Sequence, residues 1–295
     1  MKKPRLVTIF SLILILAGLG LAAYPIISNN LAQKNASEAI QDYDDQMQEM
    51  DEGKIDAVKE SMKQYNQQLG HAVIQDEASK AVKEAAQQRD NGEDTEGSTH
   101  KERMEIGDVI GYLTVPSIDV NLPIYYGTSQ EVLAKGVGYV PETSFPLGGE
   151  STHSVLTGHR GLPEAKLFTD MDKVEEGDQF YIHVLDEILA YQVDQIKVVD
   201  PEDTSDLDIV QGQDYVTLVT CTPYAINSHR LLVRGHRVEY TGEENTKTVS
   251  QLRPAAMARR IVDVWPWFLF MMAGVVVVEA ILILVILIRR HHKKK

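Results

Sequence analysis

The chain has one cysteine, Cys221, in 295 residues. That scarcity excludes an internal disulfide framework and leaves stability to a packed core. Tryptophan is almost as rare, and both copies, Trp265 and Trp267, fall in one short stretch near the C-terminal end. Positive charge is scarce too: 29 lysines and arginines stand against 43 aspartates and glutamates, a formal net charge of −14. Several of the basic residues crowd the two ends (Lys2, Lys3 and Arg5; Arg289, Arg290, Lys293, Lys294 and Lys295), so the body between them is more acidic still. Such a body repels a polyanion, which excludes nucleic acid as a partner. No histidine or cysteine pair has the short spacing of a closed zinc site, and there is no internal repeat. Neither a metal nor a cofactor is expected.

What the chain does have is two long apolar runs. "LVTIFSLILILAGLGLAAYPII", Leu6 to Ile27, carries no charge and follows a basic start. About 20 apolar residues cross a bilayer as a helix, and a cleaved signal has a shorter core. Residues 1–28 therefore read as an uncleaved signal anchor. The second run, Trp265 to Ile288, has tryptophans at one boundary and the basic tail 289–295 at the other. Glu279 is the one ionisable residue inside it. Basic flanks at both ends place both termini in the cytoplasm, and everything between the two spans outside the cell membrane.

Between the spans the texture changes once. From Glu38 to Leu69 apolar residues recur in steps of three and four (Ile40, Tyr43, Met47, Met50; Ile55, Val58, Met62, Tyr65, Leu69), the mark of an amphipathic helix. The step of five around Gly53 predicts two helices or a kink there. A second helical stretch is expected over 76–89, then a polar, Gly-containing linker closes a segment of 29–104. From 105 to 240 the chain breaks into short runs rich in β-branched and aromatic residues, such as "VIGYLTVP", "QFYIHVL" and "DYVTLVTC". Short strands at this spacing predict a sandwich or barrel. A polar tether, 241–264, leads to the second span.

The lone thiol stands in "TLVTCTPYAINSHRLLVRG", Thr217 to Gly235. A solitary cysteine is commonly a small buried hydrophobe. Here it closes an alternating run, and the next run opens at Arg230, so an antiparallel return brings Arg230 beside it. Upstream, "TGHRG" ends another run and sets His159 at a turn whose glycines, Gly158 and Gly161, free the backbone. An imidazole near a thiol gives an acid/base, and a guanidinium stabilises an oxyanion. His153, His183, His229 and His236 compete for the first role, and Arg160 and Arg234 for the second. Thr220 either orients substrate or packs in its strand.

These motifs together resemble the sortase signature: "TLVTC" with Arg230 nine residues on, "TGHRG" upstream, and "GYLTVPSIDVNLPIYYGTS" and "GHRGLPEAKLFTDMDKVEEGD" around them. Two terminal spans and a helical segment before the β region resemble the pilus-assembling class C branch. The resemblance implies a mainly β fold, a closed eight-stranded barrel preceded by an α-helical segment and flanked by two transmembrane helices. It implies Cys221 as nucleophile, His159 as acid/base and Arg230 as oxyanion and substrate stabiliser. The implied reaction cleaves an LPxTG-like sorting signal between Thr and Gly and passes the acyl group to a lysine amine of a pilin subunit. Class C members often carry a lid with an Asp-Pro-aromatic motif; here Asp76 is followed by Glu77 and Ala78, so the expected lid is weakly anchored or absent. Two alternatives stay open. One is a cell-wall-anchoring sortase that uses a peptidoglycan precursor amine, and the other is a non-catalytic, membrane-tethered adhesin or scaffold.

Overall fold

The computed structural model describes residues 3–72 and 108–242. The β-rich runs become strands β1 (Val109–Val115), β2 (Val120–Tyr126), β3 (Val137–Tyr139), β4 (Thr152–Thr157), β5 (Gln179–Val184), β6 (Glu187–Val199), β7 (Asp214–Thr222) and β8 (His229–Val238). They close into a barrel in the order β1-β2-β3-β4-β7-β8-β6-β5, the pairing of β1 with β5 completing the ring. Closure leaves no strand edge to be capped. Neighbours are antiparallel except β2 with β3 and β4 with β7, which run parallel. β3 is too short for any period to announce it.

Alternation along the strands sorts side chains to two sides of the wall. Leu113, Ile124, Leu156, Phe180, Ile182, Leu189, Val216, Leu218, Leu231 and Val233 belong to the main core. A second, small cluster of Val140, Val155, Val219 and Leu232 lies on the opposite side of β4, β7 and β8, with Val199 and Leu207 packed on it. Leu207 comes from the connection between β6 and β7, which therefore folds back over the outer wall. His153 pins that connection, its ring nitrogens 2.8 Å from the Asp208 carbonyl and 2.7 Å from Thr217 Oγ1.

Helices α1 (Lys3–Glu49) and α2 (Glu52–Ala72) precede the barrel. The described residues divide between two compact units, 3–28 and 29–242. In the first, the described residues are helical; the α1 segment Ile13–Glu49, which continues past residue 28, is long and apolar enough to cross a membrane, with mean hydropathy 1.5 over its apolar window. In the second, the expected stripe is buried at Ile40, Tyr43, Met47, Ile55, Val58 and Met62. The break between helices falls at Met50 and Asp51, within the step of five that predicts it: the Asp51 carboxylate accepts the Gly53 N–H at 2.9 Å and caps α2. The Tyr43 hydroxyl accepts the Leu185 N–H at 2.7 Å, and burial pushes its pKa above the ordinary tyrosine range. Asn66 pairs with both backbone groups of Phe145, at 2.7 and 3.1 Å. Asp76, the helical stretch at 76–89, the linker, most of the tether, the second span and the tail lie outside the described residues.

Candidate active site

In β7, Val216 and Leu218 face the main core and Val219 the outer cluster, so Cys221, two residues beyond Val219, stands on the outer side at the strand's end. It is a half-buried free thiol. In β8 the same alternation puts Leu231 and Val233 inside and Leu232 outside, which carries Arg230 to the outer side. Cys221 and Arg230 are directly opposed in the antiparallel ladder. Arg230 is 8% exposed, and its Nη1 donates to the carbonyls of Asn227 and His229 at 3.2 and 3.3 Å.

The histidine arrives from the other neighbour of β7. β4 pairs in parallel with β7 up to Thr157 and Val219, and the Gly158 N–H extends the ladder by donating to the Val219 carbonyl at 3.1 Å. One further step brings His159 level with Cys221. Gly158 faces inward: a Cβ there would stand 2.8 Å from the Phe168 ring, so glycine is required for space. Only Gly161, at φ +84°, supplies the backbone freedom that the sequence suggests for both. With residue 158 turned inward, His159 turns outward, to the side of Cys221 and Arg230. Three successive strands of the wall thus bring the three residues to one face.

The turn that carries His159 is held by its backbone. The Thr220 hydroxyl donates to the Gly158 carbonyl at 2.7 Å, Phe168 N–H to the His159 carbonyl at 3.0 Å, and Gly161 N–H to Thr169 Oγ1 at 3.3 Å. Thr220 is itself 2% exposed, so its contact is with the histidine turn. His159 Nε2 lies 3.2 Å from Oε1 of Gln130, the first residue of α3 (Gln130–Lys135). No sequence signal marks Gln130 as its partner.

The competing residues are elsewhere or otherwise engaged. Burial drives the His153 pKa down to about 4, with the Arg234 cation adding to the effect, so its ring is neutral at ordinary pH. His183 stacks on Tyr112 at 4.1 Å, on the β1–β5 side of the barrel. His229 is near Asp200 at 3.6 Å, and His236 near Asp194 at 3.8 Å. Arg234 makes a two-pronged pair with Asp194, at 3.0 and 3.1 Å, and lies over the Tyr215 ring. Arg160 is buried in an ion pair with Asp172. Among the described residues no group of three histidine, cysteine or carboxylate side chains is placed to hold a metal.

Comparison with known proteins gives one consistent result. A family model described as the sortase domain matches residues 113–238. Sortase D of Bacillus subtilis is 30% identical over 168 residues, which are 54% of this chain and 82% of that protein. Sortase C of Streptococcus pneumoniae, whose crystal structure is described as informative on catalysis and pilin substrate specificity, is 40% identical. It covers 69% of this chain and 97% of its own, with a TM-score of 0.57. Sortase C of Clostridium perfringens is 40% identical over 69% of this chain and 99% of its own, with a TM-score of 0.56.

Proposed function

The chain belongs to the sortase family and is a cysteine transpeptidase, and on that premise we propose that it is a class C member which polymerises pilin subunits, with Cys221, His159 and Arg230 as its catalytic residues. The observation that carries the assignment of residues is the direct opposition of Cys221 and Arg230 across β7 and β8, with His159 in the turn that follows the β4–β7 pairing at Thr157 and Val219. The likeness to the sortase C structures, at 40% identity and nearly their full length, supports the class.

In this reading the Cys221 thiol passes its proton to His159, and its sulfur attacks the carbonyl carbon of threonine in an LPxTG-like sorting signal. The Arg230 guanidinium stabilises the oxyanion. The C–N bond to glycine then breaks, and His159 protonates the departing amine. The acyl group is held as a thioester, which conserves the energy of the amide it replaced. A pilin lysine amine attacks next; His159 takes its proton, an isopeptide bond forms and the thiol is restored. No nucleotide or other energy source enters. That economy suits a catalytic body outside the cell, with both termini in the cytoplasm and the apolar stretch of α1 as its anchor; the run 265–288 supplies a second span.

The test uses the full chain in detergent and a peptide carrying an LPxTG signal, read by intact mass. An adduct on Cys221 that a lysine-bearing peptide discharges is the expected outcome, with none formed by Cys221→Ala. Discharge by a peptidoglycan cross-bridge amine in preference to lysine would establish the wall-anchoring alternative. An unchanged adduct in Cys221→Ala would remove the residue from the mechanism.

A further inference from the structure

The residue after His159 and the residue after Cys221 share one side chain. Arg160 is 6% exposed at its side chain. Its Nε donates to the Thr169 carbonyl at 3.2 Å, its Nη1 to Thr222 Oγ1 at 2.9 Å, and its Nη2 lies 2.7 Å from Asp172 Oδ2. A guanidinium is a rigid plane with its donors in fixed directions. Bonded through all three nitrogens, it is fixed in position. Asp172 supplies the countercharge that a buried cation requires.

The backbone bonds of the histidine turn reach β7 at Val219 and Thr220. The Arg160–Thr222 bond carries the attachment past Cys221 to the end of the strand. The nucleophile is therefore bracketed, with the histidine turn attached on both sides of it. Acid/base work demands approach within about 2.6–3.2 Å, and a misplacement of about 1 Å costs on the order of a hundredfold in rate.

We propose that Arg160 is a positioning residue: acting through the Thr222 hydroxyl, it sets the spacing between His159 and Cys221. The proposal rests on the assignment of His159 as acid/base and Cys221 as nucleophile. Sequence marks Arg160 only as a rival to Arg230 for the oxyanion role, and its engagement with Asp172 and Thr222 gives it a different task.

Thr222→Val keeps the shape of the side chain and removes the acceptor, while Thr222→Ser keeps the acceptor. With the full chain in detergent and an LPxTG peptide, Thr222→Val is expected to lower the maximal rate of thioester formation about 10- to 100-fold. The peptide concentration for half-maximal rate stays within about twofold, because the brace acts on chemistry and not on binding. Thr222→Ser restores the rate, and Arg160→Lys behaves as Thr222→Val because an ammonium cannot reproduce the fork. A second reading needs no substrate: the pH dependence of Cys221 alkylation by iodoacetamide, unambiguous with a single thiol. There Thr222→Val is expected to move toward the His159→Ala profile and Thr222→Ser to keep the native one. A native rate and a native alkylation profile in Thr222→Val would overturn the brace, as would a Thr222→Ser variant as impaired as the valine. His159→Ala run alongside separates the two ideas: native activity there sinks the catalytic assignment itself, whatever Thr222 does.

Discussion

At the scale of single residues, the two histidines of β4 and its turn have opposite environments. His159 sits at an open turn beside Gln130. His153 is 1% exposed, wedged between the Asp208 carbonyl and the Thr217 hydroxyl. Its folded pKa, about 4, lies below the ordinary histidine value of 6.5, so between those values the unfolded chain binds a proton that the fold refuses. The stability this represents is fully present above pH 6.5 and is lost as pH falls toward 4. A shift of that size corresponds to about 3 kcal/mol. Urea unfolding at pH 7 and pH 4.5 should show His153→Gln losing less stability over that interval than the native chain. Equal losses would mean that the carboxylates alone set the acid limit.

The site was partly legible at this scale, and the limits are physical. Cys221 and Arg230 sit on consecutive strands, so alternation and a hairpin return suffice to bring them together. His159 reaches them through a parallel pairing of β4 with β7, residues 62 apart in sequence, which no local period encodes. Arg160 and His153 were visible only as competitors, because the groups that define them, Thr222, Asp172 and Asp208, are distant in the chain.

At the scale of elements, α2 is held to the barrel by directed bonds as well as by its apolar stripe. Asn66 offers its carbonyl and its amide to the backbone of Phe145, while Tyr65 meets the Phe145 ring edge-on at 5.0 Å. Lys59 reaches Asp186 and Glu187 at the turn between β5 and β6. Removing Asn66 leaves the buried Phe145 N–H unmatched, while the Phe145 carbonyl still accepts from the Leu147 N–H at 2.7 Å. Asn66→Ala is expected to cost about 2 kcal/mol in denaturant unfolding, with the rate of thioester formation within about twofold of native. A cost near zero would mean that water replaces the amide there. Periodicity announced this helix, its buried stripe and the break before it, but not the residue at which it starts. The polar cap at Asp51 decides where the helix begins, and an apolar step count does not weigh caps.

At the scale of the whole molecule, the proposed catalytic face is built from three neighbouring strands of a closed ring. No strand of such a ring can leave without opening two ladders. The amides of β4, β7 and β8 should therefore exchange with deuterium together, at the slowest rate in the protein and only by global unfolding. Faster exchange of β7 and β8 as a pair would make the site a separately opening unit.

The parallel pairing of β4 with β7 has one more consequence, for the order of events as the protein is made. The thiol and the imidazole belong to segments that meet only after the intervening chain, with β5 and β6, has been laid down and the loop closed. Closure of so long a loop carries an entropic penalty that local contacts cannot offset. On the proposed assignment, an incomplete chain therefore carries the cysteine without its acid/base partner. Activity begins with topology, as a late product of folding.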